Sequence, residues 1–292
     1  MTIKNSLIDD LVSASPNRRS FIKTFGIASA AVGALSIAGA PVAEAQSTTE
    51  LDILNFALNL EYLEAEFYTY AVTGKSIAGF GIGIEGHANG ENPPSGGATT
   101  GGSQVKFPHG ESLTEELAAQ IGADERAHVA LLRSALGKLA VAKPNINLGA
   151  LGFGFANHTD FLKASRILED IGVTAYAGAA GMLTTPGIIT TAGRLLAAEA
   201  EHVGAIRTQV ARLKIVSSAL DGADLAPPPT GKSGQLLSIS DTNGLPATRT
   251  AGQVLFLAFG GKANAREGGF FPNGLNGSIT TSSDRATDSN LA

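Results

Sequence analysis

Residues 124–134 read DERAHVALLRS, and the same pattern returns at residues 198–208 as AEAEHVGAIRT. Both copies contain Glu-x-x-His-Val, with an arginine five positions after the histidine. A carboxylate and an imidazole three residues apart on a helix lie on one face, one turn from each other. Two such helices that face each other can surround a pair of metal ions, so the repeat predicts a paired site.

Apolar residues around these copies recur at three- and four-residue spacing, which is typical of amphipathic helices. Ser112 and Glu115 match a capping box at the start of the second helix. The Pro186-Gly187 pair breaks the chain before the fourth helix. The sequence therefore predicts an all-α protein with four long helices, over about residues 49–72, 112–139, 159–182 and 188–215.

The first and third helices each place a tyrosine seven residues after a glutamate that lies in an apolar stripe. These pairs are Glu61 with Tyr68 and Glu169 with Tyr176. Four carboxylates gathered in a core would repel one another strongly unless cations neutralised them. The chain has no cysteine, so oxygen and nitrogen ligands must hold the ions. Mixed carboxylate and imidazole ligation favours two ions of Fe or Mn, with Zn less favoured.

The first 45 residues have the pattern of an export signal. Paired arginines in NRRSFIK at residues 17–23 precede an Ala- and Gly-rich apolar run at residues 25–40, and AEA at residues 43–45 is a small-x-small cleavage pattern. The arginine pair is similar to a twin-arginine signal. We expect cleavage near Ala45, a periplasmic or otherwise exported product, and no stable membrane span afterwards, because the apolar run is short and Gly-rich.

Two Gly-rich segments accompany the bundle expected over residues 46–215. Residues 74–111 form a long connection between the first two helices, which either covers one end of the bundle, mediates assembly, or is a tolerated surface excursion. Residues 216–292 contain three consecutive prolines and one short helix candidate at residues 251–259. We expect this C-terminal extension to pack aromatic residues on the bundle, with disorder after about Gly277.

With these repeats in place, the chain resembles the ferritin-like superfamily. More narrowly, it is similar to exported bacterial ferritin-like domain proteins related to plant desiccation-induced proteins. The resemblance covers residues 49–215, and FFPNG at residues 270–274 is also typical of that group. It implies a ferritin-like four-helix bundle, with a long crossover between helices 2 and 3, and a dinuclear Fe or Mn centre. The long loop and the C-terminal extension depart from ferritins, which argues against cage assembly and iron storage.

The resemblance implies six metal ligands, contributed by all four helices: Glu61, Glu125, His128, Glu169, Glu199 and His202. Of these, Glu125 and Glu169 are candidates to lie between the two ions, although the sequence does not decide which residues bridge. Two tyrosines, Tyr68 and Tyr176, would orient ligands through hydrogen bonds, or would simply be core aromatics. Glu64, one turn after Glu61, would assist or replace it, or would be a polar face residue.

The other charged residues of the repeats are expected to have structural roles. Asp124 and Glu201 are interpreted as exposed charges. Arg133 and Arg207 are expected to pair with carboxylates near a bundle end. Metal ligation is therefore predicted for those six residues alone.

The favoured function is an exported dinuclear metalloprotein that reacts with peroxide or dioxygen in oxidative or desiccation stress. Mn would support catalase-like disproportionation, and Fe would support ferroxidase or peroxidase chemistry. The alternatives are a non-catalytic stress or envelope protein in which metal only stabilises the bundle, and a metal-sequestering protein without turnover. A formal net charge of −5 argues against nucleic acid as a partner, and assembly into a homo-oligomer remains open.

Overall fold

The computed structural model describes residues 49–86, 95–217, 236 and 243–287. The expected export signal lies outside these residues. No helix in the described part is long and apolar enough to cross a membrane. The α-helices of the described part are α1 Glu50–Thr73, α2 Ser112–Leu136, α3 His158–Ala179, α4 Pro186–Arg212 and α5 Ala251–Ala258.

Helix α1 is the central element of the structure. It begins at a capping box between Thr49 and Asp52, and it ends at Gly74, whose positive φ of 71° suits glycine. Every residue from Glu61 to Thr69 is buried, on all sides of the helix. Helix α1 packs mainly against α2, and α3 packs mainly against α4. The predicted all-α bundle is confirmed.

The ends of the other helices differ from the predictions in ways that local chemistry explains. The capping box at Ser112 was wrong: Ser112 is the first helical residue, and the N-cap is Glu111. The Glu111 carboxylate accepts hydrogen bonds from Thr114 and, at 2.5 Å, from Arg212 of α4. Helix α4 begins at Pro186 rather than two residues later, because proline suits the first helical turn, where no amide partner is lost.

The two repeat arginines have different environments. Arg207 pairs with Asp170 of α3 at 2.6 Å, and both side chains are buried, so a carboxylate partner is observed as expected. Among the described residues, Arg133 forms no ion pair with a carboxylate, contrary to the prediction. It donates to the Tyr62 hydroxyl and, at 2.8 Å, to the backbone oxygen of Glu85. The long loop folds back over α2 here and supplies a carbonyl acceptor.

The long loop is attached to the crossover between α2 and α3. Strand β1, Thr99–Thr100, pairs in parallel with β2, Ile146–Asn147, in that crossover. Beside them the ammonium of Lys143 lies 3.2 Å from the Glu66 carboxylate of α1 and donates to Thr99 at 2.7 Å. The described part of the loop therefore covers one flank of α1.

The C-terminal extension contacts α1 and α3. The buried Asn59 side chain of α1 donates to the backbone oxygen of Asn276 at 2.9 Å and accepts from its amide at 3.2 Å. Arg249 is buried and donates to Thr174 of α3 at 2.9 Å. Disorder was expected after about Gly277; just beyond it, the Ser278 hydroxyl donates to the Asp52 carboxylate of α1 at 2.5 Å.

The buried Glu66–Lys143 pair gives a stability test. Replacing Glu66→Ala leaves the ammonium buried without its anion, which should lower the free energy of unfolding by about 3–5 kcal/mol. Lys163→Ala, which removes the partly exposed pair with Asp160, is the control and should cost about 1 kcal/mol or less. Urea unfolding measures both, and equal losses in the two variants would contradict the assignment.

Candidate metal centre

Six side chains converge between the four bundle helices, and they are those that the sequence predicted: Glu61 from α1, Glu125 and His128 from α2, Glu169 from α3, and Glu199 and His202 from α4. All six are buried, and the most exposed of them, His128, has only 8% of its surface accessible. Helical spacing accounts for the convergence, because each Glu-x-x-His pair occupies one face of its helix.

The cluster consists of two overlapping groups of four residues. One group contains Glu61 and His128, the other contains Glu169 and His202, and both contain Glu125 and Glu199. Within each group the ligand atoms lie within 4.8 Å of one another. Sharing of Glu125 agrees with its expected bridging position. The second carboxylate that belongs to both groups is Glu199, whereas Glu169, the other candidate to lie between the ions, belongs to one group only.

Both histidines turn Nδ1 towards the carboxylates. Nδ1 of His128 lies 3.3 Å from Oε2 of Glu61 and 3.3 Å from Oε2 of Glu125. Nδ1 of His202 lies 3.0 Å from Oε1 of Glu125 and 3.2 Å from Oε2 of Glu169. Glu125 therefore presents one oxygen to each histidine. The two imidazole rings are nearly parallel, with centroids 6.1 Å apart.

The polar atoms of this cluster have unused bonding capacity. Within the described residues no hydrogen bond reaches either carboxylate oxygen of Glu125, Glu169 or Glu199, nor Oε2 of Glu61. Buried polar atoms without partners are rare and costly in native structures. Divalent cations would satisfy all of these oxygens and both Nδ1 atoms, so the residues fit a pair of metal ions.

Without metal, the cluster retains protons. Burial, and then the charge of Glu61, raise the pKa of Glu125 to about 7. Burial and neighbouring carboxylates also raise the pKa of Glu199 well above its ordinary value. Burial alone would lower the pKa of both histidines, but the adjacent carboxylates outweigh it and raise the pKa to about 11 for His128 and about 12 for His202.

The two tyrosines lie beside Glu61 and Glu169, the terminal carboxylates, each of which belongs to one ligand group only. The two hydroxyls differ in their hydrogen bonds. The Tyr176 hydroxyl donates to Oε1 of Glu61, so this tyrosine orients a candidate ligand. The Tyr68 hydroxyl is buried near Glu169, yet it makes no hydrogen bond to any described residue. Burial raises the pKa of both hydroxyls well above the ordinary value.

Glu64 is buried outside both ligand groups, next to a glycine that makes room for it. A Cβ atom at Gly172 of α3 would lie 2.6 Å from Oε2 of Glu199 and 3.3 Å from Oε1 of Glu64. Burial, and then the charge of Glu199, raise the pKa of Glu64 well above its ordinary value. Glu64 is therefore a proton-retaining neighbour of the cluster.

Sequence reasoning missed the role of Asp124. Its side chain is 60% exposed, as expected, but Oδ2 lies 3.5 Å from Nε2 of His202. Its position directly before Glu125 was the available signal. On a helix that borders a buried site, the residue next to an interior ligand can lie at the rim of the same site. Sequence spacing alone does not show that the partner is on the opposite helix.

A four-helix bundle that buries two linked carboxylate–imidazole groups defines the class of ferritin-like metal-site proteins. The ferritin-like domain family model matches residues 49–212, more than half of the 292 residues, so the chain belongs to this family.

Two similar proteins are known from plants. A desiccation-related protein of Craterostigma plantagineum is 27% identical over 176 residues, which cover 54% of this chain and 52% of the relative. A ferritin-like catalase of Nesocodon mauritianus is 22% identical over 275 residues, which cover 79% of this chain and 84% of the relative. The chain thus spans about half the length of the first relative and most of the second.

The space beside Gly172 gives a prediction. In Gly172→Ala the new methyl group displaces the flexible end of Glu199, so the helix tolerates the change while the candidate ligand moves. We expect a chain that folds at wild-type yield and binds Mn²⁺ about tenfold or more weakly. Gly193→Ala, on the open face of α4, is the matched control and should keep full affinity. Unchanged Mn²⁺ affinity in Gly172→Ala would refute the assignment.

The raised pKa values predict an unusual pH dependence for protein held in chelator. Glu125 has a pKa of about 7 in the folded chain against an ordinary value of 4.5, so the folded state binds its proton more tightly. This contribution to stability is complete below about pH 4.5 and is lost as the pH rises through about 7. The histidines act in the same direction above about pH 6.5.

The melting temperature in chelator should therefore fall between about pH 5 and about pH 8. Circular dichroism melting curves measure this trend. Glu125→Gln should flatten it, and Glu201→Gln, which changes an exposed carboxylate, should not. A melting temperature that rises over this range would contradict the proton-retaining cluster.

Proposed function

We propose that this protein is an exported metalloprotein with a dinuclear Fe or Mn centre that acts on peroxide or dioxygen in oxidative or desiccation stress. The observation that carries the proposal is the pair of ligand groups joined by two shared, buried carboxylates, Glu125 and Glu199. A single metal position would need only one group of four. Two overlapping groups suit two ions held at short separation.

The known relatives support this direction. One relative is described as a ferritin-like catalase and the other as desiccation-related. Catalase activity converts two molecules of hydrogen peroxide to two of water and one of dioxygen. The buried carboxylate–imidazole cluster of this chain is suited to such two-electron chemistry, whereas no other described group of acidic and histidine side chains meets the spacing of a metal site.

Each side chain would have a defined task. Glu61 and His128 would hold one ion, Glu169 and His202 the other, and the shared carboxylates would contact both. A bound pair of redox-active ions supplies the capacity to exchange two electrons with peroxide.

The surrounding residues control protons and orientation. Tyr176 fixes Glu61 through its hydrogen bond. Glu64 holds a proton beside Glu199, because its pKa is raised well above the ordinary value, and so provides a local proton store for the reduction of peroxide oxygen to water.

Export is part of the proposal and rests on the arginine pair at Arg18 and Arg19 and on the cleavage pattern that ends at Ala45. A twin-arginine route moves folded proteins, so the ions would be loaded before export. Replacing both arginines by lysine should retain the chain in the cytoplasm with its signal uncleaved, and cell fractionation with mass spectrometry of the N-terminus reads this out. Cleavage near Ala45 in the double variant would argue against the route.

The two ligand groups predict which substitutions remove both metal ions and which remove only one. The protein expressed with its own signal should contain about two transition-metal ions per chain by mass spectrometry. Glu125→Ala should remove both ions and peroxide decomposition, because this carboxylate belongs to both groups. Glu61→Ala should reduce occupancy to about one ion, because Glu61 belongs to one group only. Glu201→Ala, at an exposed carboxylate on α4, is the control and should change neither.

The outcomes separate the alternatives. If the wild-type protein releases dioxygen from peroxide and Glu125→Ala does not, the result supports a catalase-like function. Two ions without turnover would indicate a structural or sequestering role instead. Less than one ion per chain in the wild-type protein would defeat the dinuclear proposal.

A further inference from the structure

His202 is contacted on both ring nitrogens by consecutive residues of one helix. Glu125 of α2 faces its Nδ1 at 3.0 Å, inside the cluster. Asp124 of α2 faces its Nε2 at 3.5 Å, at the rim. The imidazole therefore lies between two carboxylates, with one nitrogen directed inwards and the other outwards.

The other half of the internal repeat lacks this arrangement. In the alignment of DERAH at residues 124–128 with AEAEH at residues 198–202, Ala198 stands at the position of Asp124. His128 presents Nδ1 to the cluster in the same way as His202. No carboxylate among the described residues forms an ion pair with Nε2 of His128.

We propose that Asp124 is a positioning residue for His202, and that the two metal positions consequently differ in affinity. The ion beside Glu169 and His202 is held more tightly than the ion beside Glu61 and His128. A carboxylate on the outer nitrogen of a ligating histidine fixes the tautomer and ring orientation and makes the inner nitrogen a stronger donor. This inference rests on the dinuclear site of the proposed function.

The remaining ligands do not offset the difference. Each position has one histidine, one terminal carboxylate and the same two shared carboxylates. Oε1 of Glu61 already accepts the hydrogen bond of Tyr176, which leaves less of its charge for an ion. Both oxygens of Glu169 lack a hydrogen bond from any described residue. Because the Tyr68 hydroxyl lies beside Glu169, the carboxylates of Glu61 and Glu169 do not reverse the difference that Asp124 sets.

The test is a Mn²⁺ titration of the full chain after chelation, followed by calorimetry and by electron paramagnetic resonance. The wild-type protein should bind Mn²⁺ in two resolved steps. At one equivalent of Mn²⁺ the resonance signal should be that of a single ion, and at two equivalents it should show magnetic coupling between two ions. Asp124→Ala should weaken the tighter step about tenfold and leave the weaker step unchanged. Ala198→Asp should strengthen the weaker step by a similar factor, because it supplies the missing carboxylate.

Two controls keep the outcome specific. Glu201→Ala removes an exposed carboxylate next to His202 in sequence and should leave both steps unchanged. The stability of Asp124→Ala in chelator should fall by no more than the about 1 kcal/mol that an exposed ion pair contributes, which excludes a general structural defect. If Asp124→Ala alters neither step, or weakens both equally, the inference is overturned while two-ion binding stands. If the wild-type chain binds neither Mn²⁺ nor Fe²⁺, the proposed function itself fails.

Discussion

Burial of four carboxylates and two imidazoles at one point is the constraint on which the rest of the structure depends. Each of these groups is almost fully removed from water, and most of their oxygens receive no hydrogen bond within the described part of the chain. Such a cluster is tolerated only when protons or cations neutralise it. The raised pKa values of Glu125 and Glu199 favour protons in this role in the metal-free chain, and the ligand spacing suits cations that would replace them.

The surrounding structure resists the repulsion by enclosing α1 on every side. Helices α2 and α3 contact α1 directly. Lys143, in the crossover between α2 and α3, pairs with Glu66 and donates to Thr99 of the long loop, and Asn276 of the C-terminal extension accepts from Asn59. These contacts are hydrogen bonds and ion pairs from buried polar side chains, which are directional. They attach the crossover, the long loop and the C-terminal extension to α1, the helix that carries Glu61.

The six candidate ligands were predictable because helical spacing repeats in sequence and fixes which residues share a face. Features that depend on contacts between helices were not predictable. That Glu199 and not Glu169 belongs to both ligand groups depends on how the helices pack together. The loop carbonyl that binds Arg133 and the Glu111 cap come from segments without periodicity. Such contacts leave no pattern in a single sequence.

The two halves of the internal repeat contain the same candidate ligands, but the residues next to these ligands differ. Glu64 of α1 corresponds to Gly172 of α3, and Asp124 of α2 corresponds to Ala198 of α4. Gly172 leaves the space that Glu199 and Glu64 occupy, so a second glutamate there would collide with a shared ligand. Position 172 must therefore be small for Glu199 and Glu64 to fit. The repeat supplies two groups of candidate ligands, and these two exchanges give each group a different environment.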